Sequence, residues 1–219
     1  MMAAMRSVLL AAILFLPLFA AHPAYGGEDV AAELYRLEAE MDRLARRNVW
    51  KGVERTYGEL LALNVPLATG DHLLAAQASQ SRGEMLQAME RFEAAVKAGE
   101  VKELADGAGS VDGSDPADPA DPVPDSPLAE AKRTLEVFTS RYGRVDILID
   151  KSRIAMLVRT DGMPFSAQER ESIVYARDAV VNRKLFRGLL PVGNYMIDGE
   201  KFEVSANPEW HEIRINPQK

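Results

Sequence analysis

HLLAAQASQSRGEMLQAMERFEAAVKAG, from His72 to Gly99, is the stretch whose reading decides the fold. Met85, Ala88, Met89, Phe92, Ala95 and Val96 recur at the three- and four-residue spacing that places them on one helical face. Just before them Arg82-Gly83-Glu84 interrupts the pattern, so the stretch predicts a helix, a tight turn and a second helix. A hairpin of this size covers one apolar face poorly by itself, and it therefore predicts a neighbour.

Sliding the sequence along itself by 35 residues supplies that neighbour. Asn48 falls on Gly83, Trp50 on Met85, Val53 on Ala88, Tyr57 on Phe92, Leu60 on Ala95 and Leu61 on Val96. Upstream, Val30, Leu34, Leu37, Met41 and Leu44 give the earlier unit the apolar stripe of its first helix. Pro66 and the cluster Thr69-Gly70-Asp71 mark the join, so residues 28–99 read as two stacked antiparallel helical hairpins.

Ala88 followed four residues later by Phe92, echoed approximately by Val53 and Tyr57, resembles the second helix of a tetratricopeptide repeat. The first helix of the second unit departs from that pattern: His72, Ala75, Ala76 and Ser79 stand where it prefers tryptophan, leucine, glycine and tyrosine. The resemblance implies a binding groove lined from the first helix of each unit. That makes Tyr35, Glu38 and Asp42, then Leu73, Gln77 and Gln80, the candidate binding residues, with another protein as the ligand.

The first residues are of a different kind. Ser7 to Ala21 is almost wholly apolar, follows Arg6 and contains no acid. The run is short for a membrane span and is broken by Pro17, while Ala24-Tyr25-Gly26 offers the small residues a signal peptidase prefers. Residues 1–26 are therefore expected to be a signal peptide, which sends the chain to the periplasm or the exterior. A membrane contact is expected only through this segment, if it stays uncleaved. The 219-residue chain has no cysteine, so an exported form must fold on packing alone, without disulfides. Removing residues 1–26 takes away one cation, Arg6, and no acid, leaving 25 bases against 33 acids, a net charge of −8. That balance, with no basic stripe, argues against nucleic acid as a partner.

From Asp106 to Ser126 the composition turns to Asp, Pro, Gly, Ala and Ser. Prolines at 116, 119, 122 and 124 oppose helix and favour an extended path, so residues 106–126 are expected to be a disordered acidic linker. Asp112, Asp115, Asp118 and Asp121 recur every three residues, but on a polyproline-type path neighbours on that edge lie about 9 Å apart, too far to grip one cation. Ser126-Pro127 is a helix start, and Leu128, Ala131, Leu135 and Phe138 form its stripe towards Gly143. A helix over 127–143 is expected either to cap the repeat stack or to pack on the domain that follows.

The hydrophobic period then changes from helical to alternating. Val145, Ile147 and Ile149 point one way, and Ile154, Met156 and Val158 repeat the arrangement after Lys151-Ser152-Arg153, which predicts a hairpin. Ser166 and Glu169 form a capping box for a helix to about Asn182, with Ile173, Ala176 and Val180 inward. Strands are expected again at Leu185–Leu190, Asn194–Asp198, Lys201–Ser205 and Glu212–Asn216. Asp198-Gly199 marks a two-residue hairpin turn that sets Tyr195 opposite Phe202. The run Leu190-Pro191-Val192-Gly193-Asn194-Tyr195 resembles the P-x-G-x-Y turn of small exported β-sandwich modules of the carboxypeptidase-regulatory-like kind. Residues 144–219 thus read as a small β-rich domain, sandwich-like or α+β, with one inserted helix. The fold class is α plus β in two parts.

Chemistry is sparse in this sequence. Only His72 and His211 remain beyond residue 26, and nothing places a nucleophile beside either. His211-Glu212 begins a zinc-protease-like string, but Ile215 occupies the position of the second histidine. No GxSxG, P-loop or dinucleotide-binding glycine pattern is present. No catalytic residue, metal ligand or cofactor is assigned. Trp50 falls at a repeat-core position, whereas Trp210, after Asn207-Pro208, is a candidate ligand platform. The expectation is a non-enzymatic scaffold that binds another envelope or secreted protein. The alternative is a carbohydrate- or envelope-polymer-binding module acting through the β domain.

Overall fold

A computed structural model describes residues 27–108, 126–150, 155–164 and 166–215. The expected signal peptide, most of the expected linker and Ile154 lie outside the described residues. The architecture is α+β in two parts. Helices α1 (Gly27–Arg46), α2 (Trp50–Ala62), α3 (Thr69–Ser81) and α4 (Met85–Ala108) form the first. The second holds α5 (Pro127–Arg141), β1 (Tyr142–Ile149), β2 (Leu157–Arg159), α6 (Ala167–Arg183), β3 (Leu185–Pro191), β4 (Gly193–Ile197), β5 (Glu200–Val204) and β6 (His211–Ile215).

The helical part is two hairpins closed by equivalent turns. Asn48 ends the first with φ +56° and Gly83, its partner at the 35-residue offset, ends the second with φ +77°. Asparagine tolerates that left-handed conformation at an exposed turn. At Gly83 only glycine fits, because a Cβ would lie 2.3 Å from the backbone oxygen of Glu171. Leu37, Met41 and Leu44 of α1 pack with Val53, Tyr57 and Leu60 of α2 and with Ala75 and Ala78 of α3. The opposite face of α1 carries the ion pairs Glu33–Arg36 at 2.6 Å and Asp42–Arg46 at 2.7 Å, so its amphipathicity sets which side meets α2.

Helix α5 supplies the cover that the second hairpin needs. Ser126 caps it by accepting from the Ala129 N–H at 3.1 Å, and Pro127 opens its first turn. Leu73 and Ala76 of α3, Phe92 of α4, and Ala131 and Phe138 of α5 form one core, to which Tyr142 and Leu189 contribute from the strands. Phe138 is the pivot, with its ring 5.7 Å from Phe92 and 5.2 Å from Tyr142. Burying a side chain of that size stabilises by about 2–3 kcal/mol. The helix therefore packs on the repeat while its last residue runs straight into β1, so the helical and β parts share a core.

Strand β1 is central in a mixed sheet, antiparallel to β3 (Tyr142↔Pro191 to Leu148↔Leu185) and parallel to β6 (Val145↔His211 to Ile149↔Ile215). Strand β4 is central in the second sheet, antiparallel to β2 and β5. The hairpin expected between 145–149 and 154–158 does not form: β1 takes β3 and β6 as partners, and β2 takes β4. The inward face of that segment is also the other one. Ala155 and Leu157 are buried while Met156 is 56 % exposed, so the alternation is shifted by one residue. The hairpin at Asp198-Gly199 forms as expected, with φ +51° and +86°, and the Tyr195 and Phe202 rings stack at 5.7 Å.

Helix α6 starts at Ser166, whose Oγ accepts from the Glu169 N–H at 3.4 Å, and lays Ile173, Ala176 and Val180 against both sheets. The Pro191-Val192-Gly193-Asn194-Tyr195 turn carries the chain from one sheet to the other. The Tyr195 hydroxyl donates back to the Pro191 carbonyl at 2.7 Å, which satisfies a polar group in a fully buried ring. Gly193 has φ +152°, and a Cβ there would meet Asp161 Oδ2 at 2.6 Å. Asp161 itself accepts from the Asn194 N–H at 3.0 Å and from Arg159 Nε at 2.5 Å.

Candidate functional site

Where the two parts meet, three cavities of about 480, 300 and 610 Å³ lie in a row, neighbours sharing lining residues. The first lies between Trp50 and the C-terminal turn of α3 on one side and the start of α6 on the other. Gln80 and Gln168 join it to the second, which is walled by Arg133, Thr134 and Val137 of α5. Arg141, Ser166 and Glu169 join the second to the third, which ends at Met163, Pro164 and Val192. Together they make one groove crossing from the helical repeat to the β domain.

Local sequence explains each wall. The α3 residues Gln77 and Gln80 are one turn apart on the side left uncovered by α4, and Gln77 Nε2 donates to Glu130 Oε1 of α5 at 3.1 Å. The α6 N-terminus is brought up to α3 by the backbone contact between Gly83 and Glu171. Arg141 and Glu169 face each other at 3.7 Å across the groove. Below them the Tyr142 hydroxyl is pushed well above the usual phenol range by burial, with Glu169 adding to the effect and Arg141 opposing it. The lining mixes amides, hydroxyls and opposed charges with apolar surface from Trp50, Val137, Phe138 and Met163, suited to an extended ligand that offers both hydrogen-bonding groups and apolar surface.

Of the sequence-derived candidates, the structure brings Gln77 and Gln80 together in this groove. Tyr35 stands 75 % exposed on α1, away from it. Glu38 and Asp42 lie near Asp71, and Asp42 is bound to Arg46. Leu73 is buried at 6 % exposure among Met85, Phe92 and Phe138, so it is a packing residue and lines no groove. Trp210 is half-buried on the mixed sheet, with the Arg187 guanidinium 4.4 Å and the Arg144 guanidinium 5.8 Å from its ring centre. Arg133, Thr134, Gln168 and Glu169 were not among the candidates. Their signal, the polar sides of two helices, becomes meaningful only once α5 and α6 are known to flank α3.

The two histidines have separate environments. His72 Nδ1 meets the Tyr57 hydroxyl at 2.8 Å, and burial, then Arg91, lowers its pKa, so it is held neutral within the helical packing. His211 is exposed and sets its edge against Phe202 at 6.3 Å. Among the described residues no group of three His, Cys, Asp or Glu side chains could hold a metal ion, and no helix is long and apolar enough to cross a membrane. No protein-family model, curated protein or solved structure matches this chain.

Proposed function

We propose that the chain is a non-enzymatic adaptor of the cell envelope, exported on residues 1–26, that holds a segment of another envelope or secreted protein. In this reading residues 28–99 are a short tetratricopeptide-like repeat and α5 extends its stack. One observation carries the proposal: the groove is built jointly by α3 and Trp50 of the helical part, by α5 and by the β domain, and the amides, hydroxyls and charges along it suit a polypeptide backbone.

The test is gentle purification from the protein's own cells after crosslinking, with the double variant Thr134→Trp, Gln168→Trp as control. Both positions line the groove and neither is in a core, so the variant fills the groove without disturbing the fold. A discrete protein partner that is recovered with the native chain and lost with the variant is the expected result. Repeated recovery of no partner, or of the same partner with both chains, overturns the reading. A second reading, polymer binding through the β domain, is favoured by the arrangement of Trp210 and its two arginines.

A further inference from the structure

The face of the mixed sheet that meets the helices through Tyr142 and Leu189 continues beyond that contact as a charged surface. Val145, Ile147, Ile213 and Ile215 turn inward, so Arg144 and Asp146 of β1, Arg187 of β3, and Glu212 and Arg214 of β6 turn outward. Trp210 stands at the head of β6 on this same face, beside Arg144. Arg187 reaches across to lay its guanidinium 4.4 Å from the indole centre, and Arg144 adds its own at 5.8 Å. Among the described residues neither guanidinium makes an ion pair or a hydrogen bond. Stacking orients a guanidinium and leaves its N–H edge open to an acceptor.

Beside Arg144 a cavity of about 230 Å³ is bounded by Ser205, Asn207, Glu209, Trp210 and His211. Its shape is held by local bonds: Asn207 Oδ1 accepts from the Glu209 N–H at 2.9 Å, and the Asn207 N–H donates to the Ser205 carbonyl at 2.9 Å. Acids also face this area. Glu212 is engaged by Arg214 at 3.0 Å, while Asp146 flanks Arg187 and Glu209 borders the cavity. A simple anion would meet those carboxylates without using them. A ligand that carries both an oxyanion and hydroxyl groups uses both signs, placing its oxyanion on the arginine edges and donating hydroxyls to Glu209.

We infer that Trp210, Arg144, Arg187 and Glu209 form a binding site for one acidic sugar unit, a hexuronate, of a polysaccharide. The inference rests on the second reading above. It also changes the part played by Trp210: with Arg187 on its ring, the indole holds the arginines in place and is not the bare platform on which a neutral sugar would stack. Arg144, Glu209 and Trp210 line the cavity, and Arg187 stands against the Trp210 ring outside that lining.

The test is fluorescence titration of the mature full-length chain carrying Trp50→Phe, so that Trp210 alone reports. Tetragalacturonate, maltotetraose and inorganic phosphate are the probes. Saturable change with tetragalacturonate, weakened about tenfold or more by Arg187→Lys and by Arg144→Gln with unchanged thermal unfolding, is the expected result. Lysine at 187 keeps the charge and loses the stacked fork, so it separates geometry from net charge. Equal binding of maltotetraose overturns the acidic-sugar inference and leaves the polymer reading standing. Phosphate binding as tightly as tetragalacturonate reduces the site to a simple anion site and overturns the sugar assignment. No response to any probe removes both the inference and the reading it rests on.

Discussion

Gly83 and Glu171 meet backbone to backbone: a Cβ added at Gly83 would lie 2.3 Å from the Glu171 oxygen and 2.7 Å from its carbonyl carbon. The turn of the second helical hairpin is thus seated on the first turns of α6, and one wall of the groove depends on this contact.

Gly83→Ala is expected to destabilise by about 2–4 kcal/mol, since it combines a left-handed backbone with a clash against a main chain that has little freedom to retreat. The repeat-equivalent Asn48→Gly, at an exposed turn of the same conformation, is expected to change stability by less than about 1 kcal/mol. Urea denaturation of both variants checks the contrast. Similar losses at the two positions would mean that the α6 contact contributes nothing at Gly83.

Asp71 gives a pH-dependent prediction. It is 7 % exposed and accepts from the Ala68 N–H at 3.0 Å, which closes the start of α3. Burial raises its pKa to about 6; the Ala68 bond opposes the shift, and Glu38 and Asp42 add to it. A carboxyl whose folded pKa lies above its unfolded value penalises the fold when ionised. The penalty is absent below the unfolded value of 3.8, grows between there and about 6, and is constant above. Asp71→Asn keeps an acceptor for Ala68 and removes the charge. It should raise stability at pH 7.5 by about 1–3 kcal/mol and have little effect below pH 4. Thermal unfolding of both proteins across that range is the measurement, and a benefit independent of pH would contradict the assignment.

How legible these features were in the sequence follows the distance over which each is decided. The Asp198-Gly199 hairpin and the Tyr195–Phe202 pair rest on adjacent residues, and they form in the expected register. The equivalence of Asn48 and Gly83 was readable too, because a turn between two helices is a local event. The partners of β1 were not, since both of its neighbours come from beyond α6 and alternation alone names no partner. Leu73 was misplaced for a related reason. Helix α3 touches α1, α2, α4, α5 and α6, and Leu73, Ala75, Ala76, Ala78 and Ser79 are all buried, so it has no single apolar stripe to separate core from groove. The groove itself needs three helices that are far apart in the chain, and only Gln77 and Gln80 announced it.

Arg91 and Glu54 supply the reverse pH dependence. Arg91, 11 % exposed, donates to both Glu54 oxygens at 2.5 Å, to the Ala75 carbonyl at 2.9 Å and to Ser79 Oγ at 2.7 Å, and it lies 4.8 Å from the centre of the Tyr57 ring. The Arg91 hydrogen bond lowers the Glu54 pKa below its ordinary 4.5, against the opposing effect of burial. A depressed folded pKa gives stability that is present above 4.5 and lost as pH falls through the folded value. Glu54→Gln is therefore expected to cost about 2–4 kcal/mol at pH 7, because it leaves a guanidinium half-satisfied among packed helices, and to cost less at acid pH. Arg91→Met removes the charge together with the donors to Ala75 and Ser79. The double variant should lose less than the two single losses added together, by about 1–3 kcal/mol, since the second change relieves the unpaired group left by the first. Urea denaturation of the four proteins at pH 7 measures this coupling. Strict additivity would show that the two side chains act independently, and the link they make between α2 and α4 would then be incidental to the stability of the repeat.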